Sequence, residues 1–313
     1  MTKPIEPVRV EASEAANWSG RPSLRMWAAM AWNRRMPRYR AWGPRQIGRV
    51  CGRGMRVTIR TVSGGTVAAD PGCLDIYTAA ALAGGIWEPM IHDVCKAIVG
   101  PGQVLYDIGA NAGIVSIDVA AHFKGTVRVV AFEPLPSLAR HVALSARLSG
   151  LDRAVEVFEV MLGEARGEAT LYLTPTVSMT SAVSRGNHVS TLKRDVVPLD
   201  DLVDSGAIPP PSAIKIGVEG SELRVFRGAT GVLRTHRPTI LFEADANLDR
   251  YGLHRRDLVK LLGELAPYRF FYPDRNGALR PATDLDVPPD PDHDNMLAVS
   301  QDRPMPPLPV MKD

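Results

Sequence analysis

Residues 104–113 read Val-Leu-Tyr-Asp-Ile-Gly-Ala-Asn-Ala-Gly, and this stretch decides the fold. An apolar run of the strand type ends at Ile108, and an apolar helical pattern begins after position 113. Gly109 permits the tight turn that follows the strand, and Gly113 permits close approach where the helix starts. The helix then presents the positive end of its dipole to a ligand. The stretch therefore predicts a strand, a ligand-binding loop and a helix.

The same order of strand, loop and helix is repeated beyond Pro101. Apolar strand patterns end at Phe132 and Val160, and later ones cover 213–216 and 239–243, with helical stretches between them. Strands that alternate with helices of this length predict an α/β, Rossmann-like fold with a mostly parallel sheet and helices on both faces. Ligands of such sheets bind at the carboxyl ends of the strands. We therefore expect the site residues directly after each strand.

Two carboxylates near the glycine loop indicate the ligand. Glu133 follows the next strand, where a carboxylate can accept hydrogen bonds from both hydroxyls of a ribose. Asp107 precedes the loop, where it would repel a pyrophosphate and attract an ammonium group. The loop has Asn111 between Gly109 and Gly113 and lacks the third glycine of a dinucleotide fingerprint. S-adenosylmethionine, with a ribose, an ammonium group and no phosphate, is the predicted cofactor; a nicotinamide cofactor is the alternative.

The end of the third strand offers apolar side chains to an adenine ring. Met161 and Leu162 follow the strand that begins at Val155. We expect both side chains to pack on the adenine, and a role in the core alone is the alternative. Small polar residues at 178–181 lie in the loop beyond, either near the active site or in solvent.

Four segments between about residues 55 and 275 carry a family resemblance. They are Gly85-Ile86-Trp87-Glu88-Pro89, the loop that follows Asp107, Ala131-Phe132-Glu133-Pro134, and Ile214-Lys215-Ile216-Gly217-Val218-Glu219-Gly220-Ser221-Glu222. Together they resemble the FkbM family of S-adenosylmethionine-dependent methyltransferases. The resemblance implies a class I methyltransferase fold and O-methylation of a hydroxyl on a sugar, a polysaccharide precursor or a small metabolite.

The chain departs from the family pattern at position 217. The family reads Lys-Ile-Asp-Val-Glu-Gly there, and this chain has Gly217 in place of the aspartate. We expect Glu243, which the family also carries, to act as general base, with Glu219 as the second candidate. Lys215 is expected to pair with one of these glutamates. His188 and His293 are alternatives from loops.

The missing aspartate has two further consequences. Without its carboxylate we expect no resident divalent metal. The loss also leaves a competing hypothesis, in which the chain is a catalytically impaired scaffold or partner subunit that still binds the cofactor. Because the class I fold hosts many acceptors, the sequence alone does not choose among them.

The first sixty residues differ chemically from the rest. They contain 13 Lys and Arg against 3 Asp and Glu, whereas the remainder contains 24 against 31. Four of the five tryptophans, at positions 18, 27, 32 and 42, also lie there. We expect this leader to form a homo-oligomer contact or to dock on a partner or a membrane surface, with a packed extension as the alternative. Nucleic acid is not expected, because no reading motif is present.

Composition predicts the organisation of the chain and its location. We divide it into a basic extension (1–54), a methyltransferase domain (55–285) and a proline-rich tail (286–313). Residues 1–20 are expected to be disordered, and 304–309 to be extended and mobile. No apolar run is long enough for a membrane span and no signal pattern is present, so we expect a cytoplasmic protein, at most peripheral to the inner face of the membrane. The three cysteines are expected to be reduced.

Overall fold

The computed structural model describes residues 5–16, 18, 57–69, 88–173, 182, 188–245, 247–285 and 295–311. The strands are β1 Val57–Arg60, β2 Thr66–Ala69, β3 Val104–Ile108, β4 Arg128–Phe132, β5 Val155–Phe158, β6 Met161–Leu162, β7 Gly167–Leu173, β8 Ser190–Val197, β9 Ala213–Ile216, β10 Thr239–Glu243, β11 Tyr268–Pro273, β12 Leu279–Pro281 and β13 Asn295–Ser300. The helices are α1 Ala12–Ala16, α2 Pro89–Ile98, α3 Ile114–His122, α4 Pro136–Leu148, α5 Leu199–Asp204, α6 Glu222–Arg227, α7 Thr230–His236 and α8 Arg255–Leu265, with a 3-10 helix at Leu248–Tyr251.

The central sheet follows the order β12-β11-β13-β10-β9-β3-β4-β5 within the described residues. Strands β5, β4, β3, β9 and β10 run parallel, and β13 lies antiparallel between β10 and β11. The parallel strands are buried apolar runs, as is usual where helices cover both faces of a sheet. The predicted α/β class with a mostly parallel sheet is confirmed, and β3, β9 and β10 end at the predicted residues.

Helices cover both faces of this sheet. Successive residues of β3 point to opposite faces, so Leu105 packs with the cluster that includes α2, α3 and α4, and Tyr106 packs with the cluster that includes α6, α7 and α8. The helical stretch expected between the strands at 213–216 and 239–243 is divided into α6 and α7 at Gly228. A β-carbon on Gly228 would lie 1.9 Å from the carbonyl oxygen of Gly163, so this backbone contact accompanies the break.

The first described residues of the chain pack on the unit that contains the central sheet. The N–H of Val8 donates to the carbonyl of Val157 (2.7 Å) on the edge strand β5, and the indole Nε1–H of Trp18 donates to the carbonyl of Val57 (3.0 Å). Trp18 is buried, with only 7% of its surface exposed. The expectation of disorder is therefore wrong for residues 5–16 and 18, because the edge strand and an apolar pocket hold them. The other leader tryptophans lie outside the described residues, and docking by the leader stays a prediction.

The expected proline-rich tail also needs correction. Strand β13 lies within that range, and all its residues are buried at the centre of the sheet. Further on, the N–H of Leu279 donates to the carbonyl of Pro309 (2.6 Å), and the N–H of Met311 donates to the carbonyl of Leu279 (2.8 Å). The expectation that residues 304–309 are mobile is wrong, because the backbone groups of Pro309 and Met311 form hydrogen bonds with Leu279. The prediction of a separate proline-rich tail that begins at residue 286 is therefore wrong.

The predictions about membrane spans and cysteines can be compared with the described residues. None of the helices described here is long and apolar enough to cross a membrane. Cys95 is buried and not in a disulfide, whereas Cys51 and Cys73 lie outside the described residues. The cytoplasmic location stays a prediction.

Candidate active site

One cavity opens at the carboxyl ends of β3, β4, β9 and β10. It encloses about 1210 Å³ of space, including the part that opens to solvent. Predicted site residues from the glycine loop, β6, β9 and the following turns all border it, namely Gly109, Asn111, Glu133, Met161, Leu162, Lys215, Glu219 and Glu243. The structure thus brings most of the predicted side chains together, and their contact with a cofactor stays a prediction.

The glycine loop owes its shape to backbone contacts. Gly109 has a φ of 75°, and a β-carbon there would lie 2.0 Å from the carbonyl oxygen of Gly217. Gly113 also has a φ of 75°, but a β-carbon there would lie 2.7 Å from the side chain of Val142 on α4. Gly113 therefore allows α3 to pack on α4. It is not among the residues that border the cavity, and its expected contact with the cofactor stays a prediction.

Glu133 is held in place by the backbone. Its Oε1 accepts from the N–H of Leu135 (2.9 Å), and its Oε2 accepts from the N–H of Asn111 (2.8 Å). Burial raises the pKa of Glu133 to about 7, although both hydrogen bonds favour the ionised form. Each oxygen keeps a lone pair that can accept from a hydroxyl. The arrangement fits the predicted ribose contact.

Asn111 adds a second acceptor to the cavity wall. Its φ of 53° is in the left-handed region, and its side-chain Oδ1 is buried without a hydrogen-bond partner among the described residues. A buried oxygen in that state is satisfied by a donor from a ligand or a water molecule. The acceptors of Asn111 and Glu133, beside the apolar Met161 and Leu162, match the hydroxyl and ammonium donors and the ring of the predicted cofactor.

Asp107 and Lys215 form a buried ion pair behind the loop. The Nζ of Lys215 lies 3.2 Å from Oδ1 of Asp107 and donates to the carbonyl of Gly109 (3.0 Å), while Ser116 Oγ donates to Oδ2 of Asp107 (2.6 Å). Burial lowers the pKa of Lys215, but the charges of Asp107 and Glu243 outweigh burial and raise it. Asp107 is fully buried and does not border the cavity.

This pair corrects two expectations. Direct contact between Asp107 and the cofactor ammonium is wrong, because the carboxylate faces Lys215 and Ser116 beneath the loop. Lys215 was expected to pair with a glutamate, and its ion-pair partner is Asp107 instead. Both residues position the turn at Gly109, since the ammonium of Lys215 binds the carbonyl of that residue.

The opposite end of the cavity is acidic. The β-carbon that Gly217 lacks would lie 2.9 Å from Oε1 of Glu243. Burial, followed by the charges of Glu222 and Glu219, raises the pKa of Glu243 well above its usual range. A raised pKa favours the protonated carboxyl group, and the role of Glu243 as general base stays a prediction. Glu219 accepts from the side-chain amide of Asn247 (3.1 Å).

The site residues predicted from the sequence did not include Glu88 and His92, although both border the cavity. Glu88 directly precedes α2, and His92 lies in the first turn of that helix. Their spacing of four residues is the signal that the sequence offered. The histidine named as an alternative, His188, is exposed and stacks edge-on with Tyr172 away from the cavity lining. His293 and residues 178–181 lie outside the described residues.

The sequence predicts no resident metal ion, and the arrangement of potential ligands bears on that expectation. Across the ranges that the structure describes, no three His, Cys, Asp or Glu side chains are gathered in a way that would hold a metal ion. Glu222, close in sequence to Glu219, accepts from the N–H groups of Val218 (3.0 Å) and Gly220 (3.3 Å) and does not border the cavity. The expectation of no resident metal stays a prediction.

Comparison with known proteins identifies the family. The profile of the methyltransferase FkbM domain matches residues 107–270. The chain is 27% identical over 177 residues to the hexuronic acid methyltransferase AglP of Haloferax volcanii. This match covers 55% of the present chain and 68% of AglP. The chain is 36% identical over 100 residues to the AMB antimetabolite synthetase AmbE of Pseudomonas aeruginosa, covering 32% of this chain and 4% of that protein.

Among solved structures, the FkbM methyltransferase of Methylobacillus flagellatus KT matches with 18% identity and a TM-score of 0.43. That match covers 72% of this chain and 55% of the solved chain. The profile match spans more than half of the present chain, and it includes the glycine loop, Glu133, Lys215 and Glu243. The family resemblance and the enzyme class expected from the sequence are therefore confirmed, and the chain belongs to the FkbM family of methyltransferases.

Proposed function

We propose that this chain transfers a methyl group from S-adenosylmethionine to a hydroxyl of a sugar, a polysaccharide precursor or a small metabolite. The observation that carries the proposal is the cavity in which the carboxylate of Glu133 and the unpartnered oxygen of Asn111 lie beside an apolar wall. The similarity to a relative named as a hexuronic acid methyltransferase supports a sugar acceptor.

Each part of the cofactor has a residue to receive it. Glu133 would accept from the ribose hydroxyls, Met161 and Leu162 would contact the adenine, and Asn111 would accept from the ammonium group. When bound, S-adenosylmethionine supplies an electrophilic methyl carbon on a sulfonium. The protein then has two tasks, which are to hold the acceptor oxygen about 3–3.5 Å from that carbon and to remove one proton.

The charge of the acceptor end favours an uncharged acceptor. Glu88 and Glu219 border it, and the lysine that also borders it, Lys215, is already matched by Asp107. A negatively charged acceptor would be placed beside like charges, which costs several kcal/mol at an interface. We therefore infer a preference for neutral sugars or alcohols, in contrast to the uronic acid in the name of the archaeal relative.

Binding and transfer are tested separately. Calorimetry with S-adenosylmethionine and S-adenosylhomocysteine should show binding by the wild type and a loss of at least tenfold in affinity for Glu133→Ala. Transfer of a radiolabelled methyl group is then measured on methyl glucoside, methyl glucuronide, methyl glucosaminide, glycerol and catechol. We expect methyl glucoside to be labelled at least tenfold faster than methyl glucuronide. No cofactor binding would refute the function, and preference for the glucuronide would refute the charge argument.

The glycine at 217 favours a second candidate function. A chain that has lost this carboxylate could serve as a cofactor-binding scaffold or partner subunit. Tight binding of S-adenosylmethionine without transfer to any compound of the panel would support that function. Displacement of the bound cofactor by a nicotinamide dinucleotide at equal concentration would instead point to an oxidoreductase.

A further inference from the structure

His92 is a buried titratable side chain on the cavity wall that the proposed function has not used. Only 4% of its surface is exposed, and its Nδ1 lies 3.0 Å from Oδ2 of Asp118. We propose, on the basis of the function proposed above, that His92 is the base that removes the proton from the acceptor hydroxyl and that Asp118 positions it. This assignment replaces Glu243 as the general base.

The contacts of Asp118 favour its ionised form. It is fully buried on α3, and its oxygens receive Lys96 Nζ (2.7 Å), the N–H of Ser63 (2.8 Å) and the ring of His92. Burial opposes ionisation, but these hydrogen bonds outweigh it and hold the pKa of Asp118 well below its usual range. An ionised carboxylate accepts hydrogen bonds and cannot donate them, so it fixes the proton of a neutral His92 ring on Nδ1.

We place the other ring nitrogen, Nε2, on the cavity side. Nδ1 of His92 carries the hydrogen bond to Asp118, and His92 borders the cavity. In a neutral ring with its proton on Nδ1, Nε2 is an acceptor. Glu88, the residue directly before α2, borders the same cavity and contributes to the field at Glu243, so the start of α2 lies near the acceptor end.

The other candidate bases are less suited. Burial and the neighbouring glutamates raise the pKa of Glu243, which favours its protonated form. The Oε2 of Glu219 accepts from Asn247, and the ammonium of Lys215 carries its proton beside Asp107. The charged groups that surround His92 are Glu88, Asp93 and Lys96 on α2, Asp118 on α3, and Lys215, Glu219 and Glu243 across the cavity.

The step balances with His92 as proton acceptor. The acceptor oxygen forms a bond to the methyl carbon, the carbon–sulfur bond breaks, and its electron pair stays on sulfur. The hydroxyl proton moves to Nε2 of His92, and Asp118 stabilises the positive ring that results. The ring later releases this proton to solvent, and the products are the methyl ether and S-adenosylhomocysteine.

The first experiment tests the position of the ring without an acceptor. Diethyl pyrocarbonate modifies unprotonated imidazole nitrogens, and peptide mapping locates the modified histidine. We expect His92 to be modified in the native enzyme despite its burial, with exposed His122 as the internal reference. A His92 that stays unmodified while His122 reacts completely would overturn the proposal, because Nε2 would then not open to the cavity.

The second experiment tests proton removal on the acceptor panel. His92→Gln should lower kcat by about 10²–10⁴-fold and leave the affinity for S-adenosylmethionine within twofold of wild type. It should also abolish the rise of kcat with pH, a rise that Glu243→Gln should retain. His122→Gln is the matched histidine control.

The outcomes distinguish a failure of the proposed role of His92 from a failure of the proposed function. Transfer by the wild type that persists in His92→Gln with the same pH profile refutes only the role of His92. A loss of cofactor affinity in His92→Gln without a change in the pH profile refutes it as well, since the residue would then bind the cofactor. Absence of cofactor binding by the wild type refutes the proposed function itself.

Discussion

The carboxyl group of Glu243 lies against Gly217, and a β-carbon at position 217 would be 2.9 Å from its Oε1 and 3.1 Å from its Cδ. The space beside the missing family aspartate is thus bordered by a second carboxyl group from the neighbouring strand. Any side chain restored at position 217 must displace the end of Glu243 or share that space with it.

Gly217→Asp should therefore destabilise the protein in a pH-dependent way. Two carboxyl groups side by side raise each other's pKa in the folded state, so the folded protein binds more protons than the unfolded chain. Stability then falls as pH rises from the unfolded value of about 4 toward the raised folded value. Urea unfolding should show a larger loss at pH 8 than at pH 5. Gly217→Ala, which adds the β-carbon alone, should lose the same amount at both, and equal losses for both variants would contradict the argument.

Gly109→Ala should cost more stability than a change at another left-handed glycine. Gly102 has a φ of 78° and open space around its α-carbon, whereas a β-carbon on Gly109 would overlap the carbonyl of Gly217. Both variants carry the cost of an alanine at positive φ, about 1–2 kcal/mol. We expect Gly109→Ala to lose about 1–3 kcal/mol more in urea unfolding, because the overlap is with backbone. Equal losses would mean that the loop relaxes freely.

Cofactor binding should release a proton from Glu133. Its pKa is raised to about 7, and ribose hydroxyls donate to the ionised form, so affinity should fall about tenfold for each pH unit below that value. Calorimetry at pH 6 in buffers of different ionisation enthalpy should detect close to one proton released. Glu133→Gln should abolish the release. Glu222→Gln is the matched control, since burial also raises the pKa of Glu222 to about 7 but that side chain lies outside the cavity lining.

Trp18 should be essential to the folded unit although it precedes the family domain. Trp18→Ala removes a buried indole that also packs edge-on against His141 at 5.3 Å, and should cost about 3–5 kcal/mol in urea unfolding. Trp18→Phe keeps an aromatic ring and loses the hydrogen bond to Val57, so it should cost only about 1–2 kcal/mol. Wild-type stability in Trp18→Ala would show that the leader is dispensable for folding.

Local patterns were sufficient for the parallel strands of the central sheet and for much of the cavity. Strands β3, β9 and β10 are buried on both faces, so their apolar runs are visible without knowledge of the partners. Glu133 and Glu243 follow such strands, and the parallel arrangement brings their ends to one edge. The glycine at 109 was recognisable for the same reason, because the turn that it permits is set by its own neighbours in sequence.

Other features depend on contacts between distant residues. Asp107 and Lys215 are 108 positions apart in sequence, and only the pairing of β3 with β9 shows that they neutralise each other. His92 and Asp118 lie on different helices, and neither has a motif around it. Strand β13 was hidden among prolines that lie outside the strand itself. In each case the sequence contains the residues, and the partner is supplied by the fold.

The position of β13 also has a consequence for biosynthesis. Its residues 295–300 enter the sheet between β10 and β11, which are made earlier. Until a ribosome has released those residues, the nascent chain presents two open strand edges to its surroundings, and such edges invite pairing with other chains. We expect ribosome-bound chains that stop before residue 295 to be degraded by a protease under conditions in which chains that include residue 311 resist it. In this arrangement the central sheet is completed only after residues 295–300 have left the ribosome.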